Sequence, residues 1–161
     1  MRIAITGHRG LPAATERLID QDIRERLAEY IDSSLVGISN LADGAEQLFA
    51  QAVLDAGGQL EVIIPAAQYR AGLPESAHAA YDALLARATK VDHLDRLESN
   101  EDVHMEASRV MLARADHLFA VWDGKAARGY GGTADVIAEA RTRNVPVTVI
   151  WPEGASRDEA A

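Results

Sequence analysis

The chain has 161 residues, 48% of them hydrophobic, which is enough for one well-formed core and too few for two ordinary domains. Its 16 basic and 25 acidic residues give a net charge of −9, and the arginines are scattered among acids, which disfavours nonspecific binding to DNA or RNA backbones. The absence of cysteine excludes a disulfide framework, a thiol nucleophile and a thiolate zinc site.

The first ten residues, MRIAITGHRG, turn polar too early for a secretory signal, and no later run approaches the ~20 apolar residues of a membrane span. No membrane contact and a cytoplasmic location are therefore expected. Residues 2–6 read as a first strand, followed by a Gly/Pro loop. Ile19, Ile23, Leu27, Tyr30 and Ile31 then recur at helical steps and predict one buried helix face. Residues 35–39 form a second strand. Ala45, Leu48, Phe49, Ala52 and Val53 line the next helix, which stops at Gly57-Gly58, and residues 60–64 make a third strand.

Residues 65–76 are a long irregular crossing, the kind of loop that tends to lie over a site. Ala77, Tyr81, Leu84, Leu85 and Ala88 mark a helix leading to a short strand at 91–94. Val103, Ala107, Val110 and Met111 mark another, leading to a strongly apolar strand at 118–122. After a glycine-rich loop, Val136, Ile137 and Ala140 face the core, and residues 145–151 close the sheet. Strands alternating with helices predict an α/β fold, a single Rossmann-like, doubly wound and mostly parallel sheet with helices on both faces. Residues 153–161, small, polar and without periodicity, read as a flexible C-terminal tail. LLARATKVDHL and MLARADHL look alike only as helix ends running into strands, so no duplicated unit is inferred.

In such a sheet ligands bind outside the carboxyl ends of the strands. Three of those ends carry unusual residues: Gly7, His8 and Arg9 after the first strand; Ser39, Asp43, Gly44 and Ala45 after the second; Asp123, Gly124, Gly131, Gly132 and Thr133 after the fifth. Bare backbone at a helix start offers unsatisfied N–H groups with partial positive charge to a phosphate, and Arg9 adds a planar fixed charge. The bland reading of each loop is a tight turn with a simple cap. Three at one sheet edge favour a shared anion site. Asp123 ends a very apolar strand, where a carboxylate can accept from a ribose hydroxyl. Glu46 and Asp135 are read as complements to helix dipoles or as solvated acids. Trp122 and Trp151 are read as core, and Tyr130 is a possible base-stacking group.

Familiar nucleotide signatures fail. GxxxxGK[ST] is absent, Gly7-His8-Arg9-Gly10 replaces GxGxxG, and Ser39-Asn40 stands where a ribose-binding acid would end the second strand. A P-loop enzyme and a standard NAD-dependent dehydrogenase are both disfavoured. His78, His93, His104 and His117 are dispersed and form no metal motif, so neither a metal nor a resident cofactor is expected.

Residues 5–9 (ITGHR), 39–46 (SNLADGAE), 120–124 (AVWDG) and 131–135 (GGTAD) resemble the SLOG superfamily. This Rossmann-like group includes the cytokinin-activating phosphoribohydrolases, often labelled lysine decarboxylase-like, and stand-alone nucleotide-sensor domains. The similarity spans residues 1–152 and implies a nucleotide-binding domain whose ligand is a nucleoside monophosphate, ADP-ribose or an NAD-like molecule. The enzymatic branch carries PGGxGTxxE and an arginine on the preceding helix. Here those two positions fall at Val136 and about Ala107, so the resemblance implies a retained nucleotide cradle without the hydrolytic pair. A sensor is the first reading. The alternatives are a nucleotide N-glycosidase using Glu106, Asp123 or Asp135, and a DNA-processing or protein-interaction module, which the acidic charge argues against. Relatives that pair through helices imply a homodimer.

Overall fold

Alternation within the first strand sets the two layers of the molecule. In β1 (Arg2–Gly7), Ile3 and Ile5 point to one face and Ala4 to the other, as the two-residue period of a strand requires. The computed structural model describes residues 1–32, 34–127 and 129–158; Arg128 of the third loop and residues 159–161 of the expected tail lie outside them.

Five further strands, β2 (Val36–Ser39), β3 (Gln59–Ile64), β4 (Lys90–His93), β5 (His117–Val121) and β6 (Val147–Ile150), join β1 in one sheet. Their order is β4-β3-β2-β1-β5-β6, with parallel pairing throughout. The α/β doubly wound fold expected from the sequence is the fold observed. The helices are α1 (Ala13–Leu27), α2 (Ala45–Asp55), α3 (His78–Ala86), α4 (Glu101–Arg114) and α5 (Thr133–Thr142).

Ile3, Ile5, Phe119 and Val121 pack against Ile19, Ile23 and Leu27 of α1 and Phe49 and Val53 of α2. Ala4, Ile38, Ile63 and Leu118 meet Met105, Ala107, Met111 and Leu112 of α4 and Val136 and Ala140 of α5 on the opposite face. Leu60 and Val62 continue the first layer with Ala50, Tyr81 and Leu84. Each of the larger aliphatic and phenylalanine side chains, fully buried, contributes roughly 1.5–3 kcal/mol, and each alanine methyl less.

Three expectations at element ends are corrected. The predicted buried face of the first helix included Ile31, yet α1 stops at Leu27, a short 3-10 turn covers Ala28–Tyr30, and Ile31 is 50% exposed. Tightening to three residues per turn rotates later side chains off the α-helical face. Trp122 lies beyond the end of β5, half-buried, where its indole N–H donates to the Lys125 carbonyl (2.7 Å). The last strand starts at Val147, two residues later than expected.

Connections leave β1 and β5, which are neighbours, in opposite directions along the sheet, α1 toward β2 and α5 toward β6. That divergence opens a crevice at their carboxyl ends. Past β6 the chain returns to α1, where Thr15 Oγ1 donates to the Ser156 carbonyl (2.7 Å) and accepts from its amide (3.0 Å). Among the described residues no helix is long and apolar enough to cross a membrane.

Candidate functional site

A cleft of about 350 Å³ occupies the crevice, with its floor made by Ile5, Thr6 and Gly7 of β1. His8 and Arg9 from the first loop, Asn40, Ala42 and Glu46 from the second, and Gly131, Gly132 and Thr133 from the third line its walls. Pro65 and Tyr69 of the long crossing, Glu101 and His104 of α4, Tyr130 and Arg157 also line it. The crossing thus lies over the site, as its length implied.

Glycines at the three loops do different work. Gly7 permits close packing: a Cβ there would come 2.4 Å from that of Ala45 and 2.9 Å from that of Val121. Gly44 has φ +84°, and a Cβ would sit 2.7 Å from the His8 carbonyl oxygen. The Ala45 amide already donates to that same oxygen (3.4 Å). Gly44 and Ala45 therefore lock the second loop onto the first and do not line the cleft. At the third loop Asp135 Oδ2 accepts from the Gly131 amide (2.9 Å), the Gly132 amide donates to the Gly129 carbonyl (3.3 Å), and the Asp135 amide turns back to the Gly132 carbonyl (3.0 Å). Thr133 and Ala134 are left as first-turn amides with no acceptor inside α5, beside bare glycine backbone.

The polar residues singled out beforehand divide the same way. Ser39 closes a local turn, accepting from the Leu41 amide (3.0 Å) and donating to the Glu46 carbonyl (3.2 Å). Asp43 lies behind Arg9, where it accepts from Arg9 Nε (2.8 Å) and the Gly10 amide (3.0 Å). Asp123 and Gly124 stand outside the cleft wall. The Asp123 amide donates to His8 Nε2 (2.9 Å), and His8 Nδ1 lies 3.4 Å from Thr133 Oγ1. The Asp123 carboxylate approaches the same Nε2 at 3.2 Å. Burial pushes its pKa up, but the Lys125 amide and His8 outweigh burial and hold it below the usual carboxylate value. Trp151 meets His8 edge-on at 5.6 Å, so the imidazole is fixed from both sides.

Glu46, read from sequence as a dipole complement, is a cleft residue. Its Oε1 accepts from the Asn40 amide (3.0 Å). Burial drives its pKa up to about 7, against the pull of the Asn40 amide, Arg9 and the Ala42 amide. Tyr69, in the same pocket, is raised well above its ordinary value by burial and by Glu46. Burial and Arg9 lower His104, whose Nε2 shares a hydrogen with Ser99 Oγ (2.6 Å) and whose ring meets Tyr69 edge-on at 5.5 Å. Burial works against the charge of Arg9, and Asp43 more than restores it. An acid two residues past a helix-start glycine, placed to reach back to loop amides, was the signal available for Glu46. Tyr69 had only the length of the crossing that carries it, and His104 and Arg157 come from distant elements and had none.

The positions at which a hydrolytic pair would stand are apolar and buried: Ala107 and Val136 both belong to the core on the α4 and α5 face. Glu106 pairs with Arg96 (3.1 Å), and neither it, Asp123 nor Asp135 lines the cleft. The described carboxylates that do are Glu46 and Glu101. Among the described residues no group of three His, Asp or Glu side chains could hold a metal ion.

Comparison of the sequence with protein-family models and with curated proteins gives no match. Among solved structures the chain is similar to DNA processing protein A of Streptococcus pneumoniae, at 16% identity and TM-score 0.66, over 95% of this chain and 51% of that one. It is also similar to DNA processing protein A of Helicobacter pylori, whose structure is described for its single-stranded DNA binding mode. That match has 14% identity and TM-score 0.69, covering 97% of this chain and 68% of the other. A third is the molybdenum cofactor binding protein of Rippkaea orientalis, at 14% identity and TM-score 0.58, covering 92% of this chain and 74% of the other. The chain thus spans about half the length of the pneumococcal protein, and what it shares with all three is the Rossmann-like fold. One of the proteins that share this fold is described as binding single-stranded DNA, so the fold gives no support to the expectation that nucleic acid is unlikely.

Proposed function

We propose that the cleft binds a phosphate-bearing nucleotide or nucleotide-derived molecule and that the domain serves as a sensor for it. One observation carries the reading: the open first turn of α5 at Thr133, beside the bare backbone of Gly132, lines the same crevice as Arg9. Helix-terminal amides and a fixed charge then meet one anionic group without rearrangement. Tyr130 lines the same cleft, is 47% exposed and has its hydroxyl 3.1 Å from Arg109 Nη2, which leaves an aromatic face for a base. A cofactor-binding protein among the structural neighbours supports small-molecule binding by this fold.

The test is a melting-temperature series and calorimetry with AMP, ADP-ribose and NAD, with the products run on a column. A saturable rise in melting temperature with no base released supports the sensor. Arg9→Met is expected to raise the Kd at least tenfold, about 1.4 kcal/mol. Released base would move the reading to a phosphoribohydrolase, and then Glu46 and Glu101 are the acids within reach. A second reading, single-stranded DNA, is favoured by the Helicobacter pylori neighbour. It predicts tight binding of a thymidine oligomer that weakens steeply with salt, together with indifference to all three small molecules.

A further inference from the structure

We infer that the segment after β6 is a strap that delivers Arg157 into the cleft as a second guanidinium for the ligand's anionic group; this rests on the reading that the cleft holds a phosphate. The strap is built residue by residue. Trp151 lies against His8, the chain turns at residues 152–155 with the Ala155 amide on the Pro152 carbonyl (3.1 Å), and Gly154 takes φ +90°. Ser156 then exchanges two hydrogen bonds with Thr15, a buried hydroxyl on the first turns of α1. Its own hydroxyl closes the next turn by donating to the Asp158 carbonyl (3.0 Å). Arg157 is held between these two fixed points and lines the cleft.

A solvated surface arginine would extend into water, and a structural one would pair with the nearest acid. Arg157 does neither. Its Nε is buried with no hydrogen-bond partner among the described residues. It is close enough to Asp123 to help lower that carboxyl, yet forms no ion pair with it among the described residues. A guanidinium is always charged, and a buried N–H without an acceptor is an unmet demand that a ligand oxygen can fill. Arg9 is tied to Asp43, an acid of the second loop, while Arg157 lies toward Asp123 after β5. Two guanidiniums, each anchored from a different element, suit a diphosphate better than a single phosphate.

The experiment measures binding of pyrophosphate, ADP-ribose, AMP and adenosine by calorimetry to the full chain and to Arg157→Met, Arg157→Lys, Thr15→Val and Arg9→Met. Arg157→Met is expected to weaken ADP-ribose and pyrophosphate at least tenfold, AMP less, and adenosine under twofold. Arg157→Lys keeps the charge without the fork and should lose about threefold. Thr15→Val, which unpins the strap, should lose several-fold in the same order of ligands. If Arg157→Met and Arg157→Lys both bind ADP-ribose within twofold of the parent while Arg9→Met loses it, the strap assignment is wrong and the nucleotide reading stands. If the parent binds pyrophosphate through Arg157 but no nucleotide, the strap stands and the nucleotide reading falls. A parent that binds neither pyrophosphate nor ADP-ribose overturns both.

Discussion

The two ends of the sheet handle charge in opposite ways. At the amino-terminal end Arg2 donates through both Nη atoms to Glu61 (3.0 and 2.8 Å) and through Nε to the Arg114 carbonyl (2.8 Å), while its amide donates to Asp116 (2.9 Å). Arg114 in turn pairs with Asp92. Ions there answer one another and leave little for a visitor. At the carboxyl end, among the described residues, Arg9 is anchored by one edge and Arg157 has an unanswered Nε, and Glu46 sits in an environment that disfavours its charge. Closed networks stabilise strands; open ones around a crevice are what a ligand completes.

Substitutions sharpen that contrast, and the largest effect concerns a residue at the open end that behaves like one at the closed end. Gly44→Ala meets both a left-handed backbone and the His8 carbonyl, and should destabilise the protein by about 3 kcal/mol, read by urea unfolding. Comparable stability in the variant would mean the second glycine is not a packing element.

Two glutamates should next show opposite pH dependence. The Arg2 hydrogen bonds hold Glu61 below the usual carboxylate range, so its contribution is present above the unfolded pKa and is lost as pH falls through the lower folded one. Glu46, raised from 4.5 to about 7, binds its proton more tightly when folded, so its contribution is full below the unfolded pKa and is lost as pH rises toward 7 and beyond. A slope on the order of 1 kcal/mol per pH unit is expected between about pH 5 and 7 for Glu46, and a slope of opposite sign on the acid side for Glu61. Glu61→Gln should flatten the first and Glu46→Gln the second. The same arm in both variants would undo the distinction.

The smallest effect is on binding. Below pH 7 a protonated Glu46 leaves the charge of Arg9 less offset, with Asp43 and Tyr69 the other titratable groups that act on it. ADP-ribose should bind roughly threefold more tightly at pH 6 than at pH 8 in the parent, and equally at both in Glu46→Gln. Glu61→Gln should keep the parent's dependence.

Much of the architecture was legible without coordinates. Ile3 and Ile5 against Ala4, and the helical steps of Ile19, Ile23 and Leu27, encode which way each side chain must face, because periodicity is a local property of the chain. The glycine loop before α5 was legible too, since a strand that ends in bare backbone ahead of a threonine announces a helix start. Ile31 was misread because a 3-10 turn and an α-turn share the same residues until packing chooses between them.

Sequence alone determined the order of elements, the parallel sheet and the edge at which chemistry can gather. Tertiary structure alone decided which amides at that edge remain open: the Ala45 amide is taken by the His8 carbonyl, while the Thr133 and Ala134 amides of α5 have no such neighbour among the described residues. It also brought Glu46, Tyr69, His104 and Arg157 to one cleft, including a residue from the segment that reads as a tail. The reason is physical. Whether a polar group is answered or left open depends on what packs beside it from far along the chain, and no local pattern of residues carries that information.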